Sequence, residues 1–369
     1  MKILITGGAG FIGSRTAVAL LDRGHKVTVL DNFDVQSHPT GPRQLDKRAV
    51  LVNGDATDGP LLGKLLEQTD AVLHLAGAVG LGQSMYQPWR FMYINSMGAT
   101  NLYQRLLEGP KPSNVRKVVV ASSKVIYGEG SYRCKTHGLV FPPLRGLNQL
   151  EAKDWELHCP ECGEHTVAAA TPEWKPPQTP SVYALSKYDT ERLALMCGES
   201  LKIPTIALRY FTAFGPGQSL SNPYTGVCSI FISRVRNGRQ PVIYEDGRQV
   251  KDLTYIDDVV QANVLALEND GATGAYNIGS GVPTAIGDVA KQVCKLLGSD
   301  IEPLFTGEYR LGDTRHDYAD ITKAKRELGF SPRWSFSDGL KKLVEWSLTQ
   351  PAEDRFEKAE AERKAALGG

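Results

Sequence analysis

The sequence predicts an α/β protein built on a doubly wound parallel sheet, with a smaller C-terminal lobe and a cysteine-bearing insertion. Three observations predict it. Short apolar runs rich in Val, Ile and Leu recur through the first half, at KILIT, HKVTVLD, AVLVN, DAVLHLA, RKVVVAS and PTIALRY. Amphipathic stretches of helical period, such as 11–23 and 89–107, separate most of them. A glycine-rich turn, GGAGFIG, stands between the first run and the first helical stretch. Strands apolar on both faces and separated by helices belong to a parallel sheet covered on both sides.

The turn comes first in the chain. Gly7, Gly10 and Gly13 follow the strand Lys2–Thr6 as G-x-x-G-x-x-G and lead into a helix beginning near Phe11. Glycines let the backbone turn sharply and approach a pyrophosphate, and the helix N-terminus offers free N–H groups and partial positive charge. This is a Rossmann-type dinucleotide signature, in which Gly7, Gly10, Phe11, Ile12 and Gly13 would surround the phosphates. The second strand ends in Asp31, followed by Asn32. A carboxylate there can accept from both adenosine ribose hydroxyls and repels a 2′-phosphate, which favours NAD over NADP. After the third strand, Asp55 and Ala56 could reach the adenine, although Asp55 could equally cap the helix that follows. Leu75, Ala76 and Gly77 end the fourth strand with small residues that let the chain pass close to a cofactor.

The fifth strand ends in SSKVIYG, where Ser123 offers a hydroxyl. Between 131 and 180 the pattern breaks: Pro142, Pro143, Pro172, Pro176, Pro177 and Pro180 interrupt a stretch of little periodicity, which reads as an insertion. It carries Cys134-x2-His137 and Cys159-x2-Cys162, two ligand pairs separated by 21 residues. CPECG resembles a zinc-ribbon knuckle, and three thiolates with one imidazole suit a closed, structural tetrahedral zinc site. His165 is an alternative fourth ligand. Cys197, Cys228 and Cys294 stand alone in apolar or helical surroundings and read as buried thiols.

Beyond the insertion, YALSK places Tyr183 and Lys187 four residues apart, on one face of a helix. A phenol with its ordinary pKa of about 10 is a weak base at neutral pH. A nearby ammonium and the positive nicotinamide ring both favour phenolate. Lys187 can also bond the nicotinamide ribose, and Ser123 can bridge a substrate oxygen and the phenol. Together with the glycine turn, these segments imply an enzyme that uses NAD to oxidise an alcohol.

The chain of 369 residues is long for one compact unit. It divides into an NAD-binding Rossmann domain at 1–211 holding the insertion, and a mainly substrate-binding lobe at 212–351 with segments returning to the first domain. A charged tail follows at 352–369, read as a solvated helix with frayed ends. Hydrophobic residues make up 41% and charged residues 22%, and the net charge is +1. That balance describes an ordinary globular protein and gives no reason to expect nucleic acid or a membrane surface as partner. MKILITGG enters a strand directly, and no apolar run reaches the ~18 residues of a membrane span. Six cysteines are too few for a disulfide scaffold. A cytoplasmic protein is expected.

With these residues in view, the chain resembles the extended short-chain dehydrogenase/reductase family, and within it the nucleotide-sugar epimerases and dehydratases. GGAGFIG, Asp31, NSMGATNL, SSKVIYG, YALSK, RYFTAFGPGQ, KDLTYIDDV and GDTRHDYADITKA carry the resemblance over nearly the whole chain. It implies catalytic roles for Ser123, Tyr183 and Lys187, with Asn95 supporting the nicotinamide region. It also implies a substrate set of Ser84, Ser123, Lys124, Thr212, Arg248, Lys251, Arg310, Asp313 and Arg315. In that set Lys251 stands where arginine usually meets the substrate diphosphate, with Arg248 nearby to compensate. Arg310 would make the second phosphate contact and Asp313 would meet the nucleoside ribose. Thr212 and Phe214 stand where Asn and Tyr are commoner. The 4,6-dehydratases of the family carry an Asp-Glu pair before the tyrosine of the middle segment, where this chain has Lys124 and Val125. Water elimination is thereby disfavoured and epimerisation favoured. SSKVIYGEG, SYRCKTHG, CPECG and GQSLSNPYTG look closest to dTDP-L-rhamnose 4-epimerase-like proteins, which favours a dTDP-6-deoxyhexose-like substrate. The resemblance further suggests a homodimer pairing the helices near 89–107 and 182–199.

Overall fold

The computed structural model describes residues 1–38, 41, 45–110, 113–224 and 226–367. The last two residues of the expected tail therefore lie outside the described residues. The first half runs β1 (Lys2–Thr6), α1 (Phe11–Asp22), β2 (Lys26–Asp31), β3 (Val50–Asn53), α2 (Gly59–Leu66), β4 (Ala71–His74), α3 (Leu81–Tyr86) and α4 (Pro88–Phe91). A π-helical turn at Met92–Met97 leads into α5 (Gly98–Glu108), and β5 (Lys117–Ser123) follows, ending in a 3₁₀ turn at Lys124–Tyr127. The insertion forms β6 (Ser131–Cys134), β7 (Gly138–Val140), α6 (Leu147–Glu151) and β8 (Val167–Ala169). After it come α7 (Val182–Leu201), β9 (Thr205–Tyr210), β10 (Thr212–Phe214), α8 (Val227–Arg236), β11 (Val242–Ile243), β12 (Val250–Tyr255), α9 (Ile256–Glu268) and β13 (Gly274–Ile278). The chain closes with β14 (Pro283–Ala285), α10 (Ile286–Leu296), β15 (Leu304–Phe305), α11 (Thr322–Leu328), α12 (Phe336–Ser347) and α13 (Phe356–Leu367).

Seven strands form one parallel sheet in the order β13-β9-β5-β4-β1-β2-β3. Inside the sheet the strands are apolar on both faces because each face buries its own core, while the edge strand β3 stays largely exposed. Ile3, Ile5, Val29, Leu73, Val119 and Leu208 pack on one side. Leu4, Leu30, Val72, Val118, Val120 and Ala207 pack on the other. The alternation within each run thus fills two layers, each large side chain contributing roughly 1.5–3 kcal/mol by burial. The order reverses between β1 and β4, the place where such sheets open a crevice at their strand C-termini.

Six of the seven strands coincide with the six apolar runs of the sequence. The seventh, β13, comes from the C-terminal half and extends the sheet beyond β9. The insertion is a three-stranded antiparallel sheet, β7-β6-β8. Beyond Tyr210, β10, β12 and β14 make a second small sheet, and β11 pairs with β15. The tail differs from the solvated helix expected. Glu357 of α13 pairs with Arg234 and Arg239, Glu360 pairs with Arg310, and Glu362 accepts from Tyr224 Oη, so the helix is tied down on the body. Among the described residues no helix is long and apolar enough to cross a membrane.

Candidate active site

A cavity of about 430 Å³ opens at the C-terminal ends of β1, β2, β4 and β5. Gly7, Gly10, Phe11, Ile12, Asp31, Asn32, Asp55, Ala56, Leu75, Ala76, Gly77, Ser123, Lys124, Tyr183, Lys187 and Thr212 all line it. Segments far apart in the chain thus meet around one space.

The glycines serve different ends. Gly7 has φ +67°, and a Cβ there would come within 2.7 Å of the Ala76 N atom, so β1 and β4 close together only with glycine. Gly13 does not line the cavity. A Cβ on it would strike the Gly7 carbonyl at 2.6 Å, so its role is to let α1 seat against the loop. Asp31 turns its carboxylate into the loop, accepting from Ala9 N–H and Phe33 N–H at 2.9 Å each, with His38 Nε2 at 3.5 Å. Burial opposes its charge, but His38 and the two backbone donors outweigh that and hold the carboxyl below its ordinary range. Asp55 accepts from Asn32 Nδ2 at 2.7 Å and from Thr57. The helix cap is Asp58 instead, which accepts from Leu61 N–H.

Ser181 caps α7 by accepting from Ala184 N–H at 3.1 Å, which fixes the first turn that carries Tyr183. Tyr183 and Lys187 lie on the buried face of this helix, 7% and 5% exposed. The Ser123 hydroxyl lies beside the Tyr183 phenol and favours its ionised form, and Lys187 Nζ donates to the Ala121 carbonyl at 3.1 Å. Burial pushes the Tyr183 phenol up to about 12, with Ser123 opposing, and brings Lys187 down to about 8. Both shifts disfavour charge, so proton removal by Tyr183 at neutral pH calls for further positive charge beside it.

Asn95 sits on the π-helical turn, 1% exposed and out of the cavity. Its Oδ1 accepts from Ala78 N–H at 2.8 Å and its Nδ2 donates to Ser186 Oγ at 2.8 Å, tying the β4 loop to α7. It therefore acts by positioning its neighbours, and a π-turn at such a place is a common functional irregularity.

Packing corrects two substrate candidates. Ser84 is fully buried and donates to the Leu81 carbonyl at 2.7 Å, so its hydroxyl is spent inside α3. Arg315 is 0% exposed, and its guanidinium is divided among Glu156, Glu245 and Asp246 at 2.6–2.9 Å. It ties the insertion to the C-terminal lobe and has no face left for a ligand. Arg248, Lys251, Arg310 and Asp313 also lie outside the cavity lining. Arg248 and Asp313 are exposed, and Lys251 is held by Thr314 and Asp317. Arg310 stacks over the Tyr244 ring at 4.1 Å. Conversely, His38 lines the cavity without any sequence signal that marks it, and Tyr210 and Tyr224 line it from within the segments RYFTAFGPGQ and GQSLSNPYTG, where the sequence assigns them no role.

The insertion gathers Cys134, His137, Cys159 and Cys162, whose ligand atoms all lie within 4.8 Å of one another. Cys134 Sγ is 3.7 Å from both His137 Nδ1 and Cys162 Sγ, and Cys159 Sγ is 3.5 Å from His137 Nδ1. The His137 backbone N–H pulls the Cys134 thiol down to about 6, toward the thiolate a metal needs. His165 instead stacks on His158, with ring centroids 4.5 Å apart.

Known proteins are similar to this chain in sequence and fold. A protein named dTDP-L-rhamnose 4-epimerase from Burkholderia thailandensis is 34% identical over 350 residues, 94% of each chain. Among solved structures, UDP-glucose 4-epimerase of Thermotoga maritima with UDP-glucose superposes with a TM-score of 0.76 at 30% identity, covering 94% of this chain and 98% of that one. UDP-glucuronic acid 4-epimerase from Bacillus cereus, in complex with UDP-glucuronic acid and NAD, gives 0.74 at 26% identity over 94% and 98%. The model of the NAD dependent epimerase/dehydratase family matches residues 3–145 and 160–279, a gap that falls inside the cysteine-bearing insertion. With the glycine turn, Ser123, Tyr183 and Lys187 around one cavity and matches of this extent, the chain belongs to the NAD dependent epimerase/dehydratase family.

Proposed function

We propose that this protein is an NAD-dependent nucleotide-sugar 4-epimerase acting on a dTDP-6-deoxyhexose-like substrate. The observation that carries the reading is the meeting of Ser123, Tyr183 and Lys187 with the Gly7 turn in one cavity. Lys124 and Val125 stand beside them where water elimination would need carboxylates. The relative at 34% identity supports the choice of sugar.

The cradle suits a dinucleotide: Gly7 tolerates no side chain, Gly10 faces the cavity, and Asp31 presents a carboxylate below its ordinary pKa. NAD held there would supply the hydride acceptor and later the donor. Tyr183 takes the proton of the C4 hydroxyl as that carbon becomes a ketone, and Ser123 donates to the same oxygen. Lys187 supports the phenolate by its charge, which at pH 7 it still carries in spite of burial. Once the flat ketone presents its other face, Tyr183 returns the proton and C4 is inverted with no net redox. Such a cycle requires the ketone to stay enclosed, which suits a lobe folded over the strand ends.

Zinc bound by Cys134, His137, Cys159 and Cys162 would be structural, since four protein ligands close the tetrahedron. Thiolates of this kind persist in a reducing compartment, which supports a cytoplasmic protein. A homodimer is the proposed assembly. Trp89 and Tyr93 stack 5.6 Å apart, and with Met97, Leu185 and Met196 they leave an exposed apolar face on the segments around α5 and α7. The test of the activity is incubation with a panel of nucleotide sugars, without added cofactor, followed by NMR. Appearance of a C4 epimer supports the reading, and a need for stoichiometric NADH contradicts it.

A further inference from the structure

Arg310 and Asp313, which the resemblance gives to the nucleotide, stand outside the cavity that holds Tyr183. They belong to a turn over 310–316 that lies in no helix or strand. A second irregular turn, over 244–246, brings the Tyr244 ring beneath the Arg310 guanidinium at 4.1 Å. What these two residues face is therefore set by whatever holds the two turns together.

Glu245 joins them. It has φ +56°, a left-handed conformation that favours glycine, and a side chain persists there only where its surroundings over-determine it. Its carboxylate is 5% exposed and bridges two guanidinium groups. Oε1 lies 2.8 Å from Arg145 Nη2, and Oε2 lies 2.9 Å from Arg315 Nη1. Arg145 reaches in from the cysteine-bearing insertion, its side chain 1% exposed, and also donates to the Asp313 carbonyl at 3.2 Å. Lys251 Nζ donates to the next carbonyl, that of Thr314, at 2.8 Å. Cations from two separate segments thus hold consecutive carbonyls of the turn that carries Asp313. Glu156, also of the insertion, braces the same turn through Arg315, with its Oε1 2.6 Å from Arg315 Nη2. Ion pairs taken out of water gain little stability over apolar packing, but they hold their members in one arrangement.

We propose that Arg145 and Glu156 of the insertion, acting through Glu245 and Arg315, are positioning residues for the nucleotide end of the substrate. They set the turn over 310–316 against that over 244–246, so that Arg310 and Asp313 address the nucleoside diphosphate together. The insertion thereby serves nucleotide binding and leaves the chemistry at Tyr183 alone. The proposal rests on the nucleotide-sugar reading above.

Arg145→Met removes the grip on Asp313, while Glu245 keeps Arg315 as its counter-ion. Calorimetry with dTDP and with UDP is expected to show the better ligand weakened about five- to twentyfold, the size of one or two lost hydrogen bonds to a charged group. The KM for the nucleotide sugar should rise by the same factor, with kcat and bound NAD within about twofold. A role in stability alone would lower the folded fraction, and so kcat, while KM and the binding constants stay as they are. Arg145→Lys keeps a cation on Glu245 without the planar fork and should recover part of the loss. Glu156→Gln serves if the methionine variant does not fold, because its side chain is 40% exposed and Arg315 keeps Glu245 and Asp246. It should show the same loss in binding and KM, about two- to fivefold. Unchanged binding and KM in both variants, or a fall in kcat alone, overturns the proposal. If the unaltered protein binds dTDP or UDP yet epimerises no sugar, the proposed activity falls and the calorimetry still decides this inference. If it binds neither, both fall.

Discussion

Glu360 on the C-terminal helix lies 2.5 Å from the Arg310 guanidinium, the cation proposed for the substrate diphosphate. The same guanidinium covers the Tyr244 ring, so a carboxylate now holds the group that a phosphate would need. Glu360→Ala is expected to lower the KM for the nucleotide sugar about two- to fivefold at low ionic strength, with kcat unchanged. The gain should shrink in salt, because both side chains keep some exposure to solvent. Steady-state kinetics at two salt concentrations checks it, and an unchanged or raised KM contradicts it.

Gly77 offers a sharper probe of the catalytic pair. A Cβ at this position would stand 2.9 Å from Asn95 Oδ1 and 3.1 Å from Lys187 Nζ. Gly77→Ala must therefore displace the amide that ties Ala78 to Ser186, or the ammonium beside Tyr183. A fall in kcat of at least tenfold is expected with the fold retained, measured by turnover alongside circular dichroism.

His74 predicts a pH effect on stability. It is 2% exposed, its Nδ1 is 2.8 Å from Thr6 Oγ1, and burial brings its pKa down to about 3 from an ordinary value of 6.5. Between those values the unfolded chain binds a proton that the folded chain refuses. Stability is therefore full above about pH 6.5 and declines as pH falls toward 3, by up to about 1.4 kcal/mol per pH unit from this group. In His74→Gln the decline should be shallower by that amount. Urea unfolding of both proteins between pH 5 and 7 measures the difference.

For the insertion, Cys159→Ser should lose bound zinc and lower the melting temperature by several degrees, because the three short strands of the insertion have little core of their own. Elemental analysis and thermal unfolding are the measurements. Zinc content equal to that of the unaltered protein would sink the assignment.

The sheet was legible in the sequence because strands buried on both faces must be apolar throughout; six apolar runs announce themselves, of which only the edge strand β3 is largely exposed. β13 escaped notice for the opposite reason. GAYNI opens on a glycine, lies at the sheet edge and contains Asn277, whose amide is spent on Tyr127 and on the Thr171 and Asp320 carbonyls. The glycine turn and the Tyr183–Lys187 pair are local patterns, readable from spacing alone. Contacts made by tertiary packing are not. Nothing near Arg315 in the chain tells that three carboxylates from two other segments surround it, and nothing near Arg145 points to Glu245. The same holds for His38, which reaches Asp31 from an irregular loop. Ser84 misled because a serine at a familiar position says nothing of which way its hydroxyl turns within a short helix.

In the proposed reaction hydride leaves C4 of a sugar and returns to the same carbon from the other side. The most direct measurement uses a nucleotide sugar labelled with deuterium at C4, in ordinary water and without added cofactor. Both C4 epimers are expected to appear, each retaining deuterium at C4. Epimers that have exchanged the label with solvent, or a reaction that stops unless NADH is consumed, would contradict it.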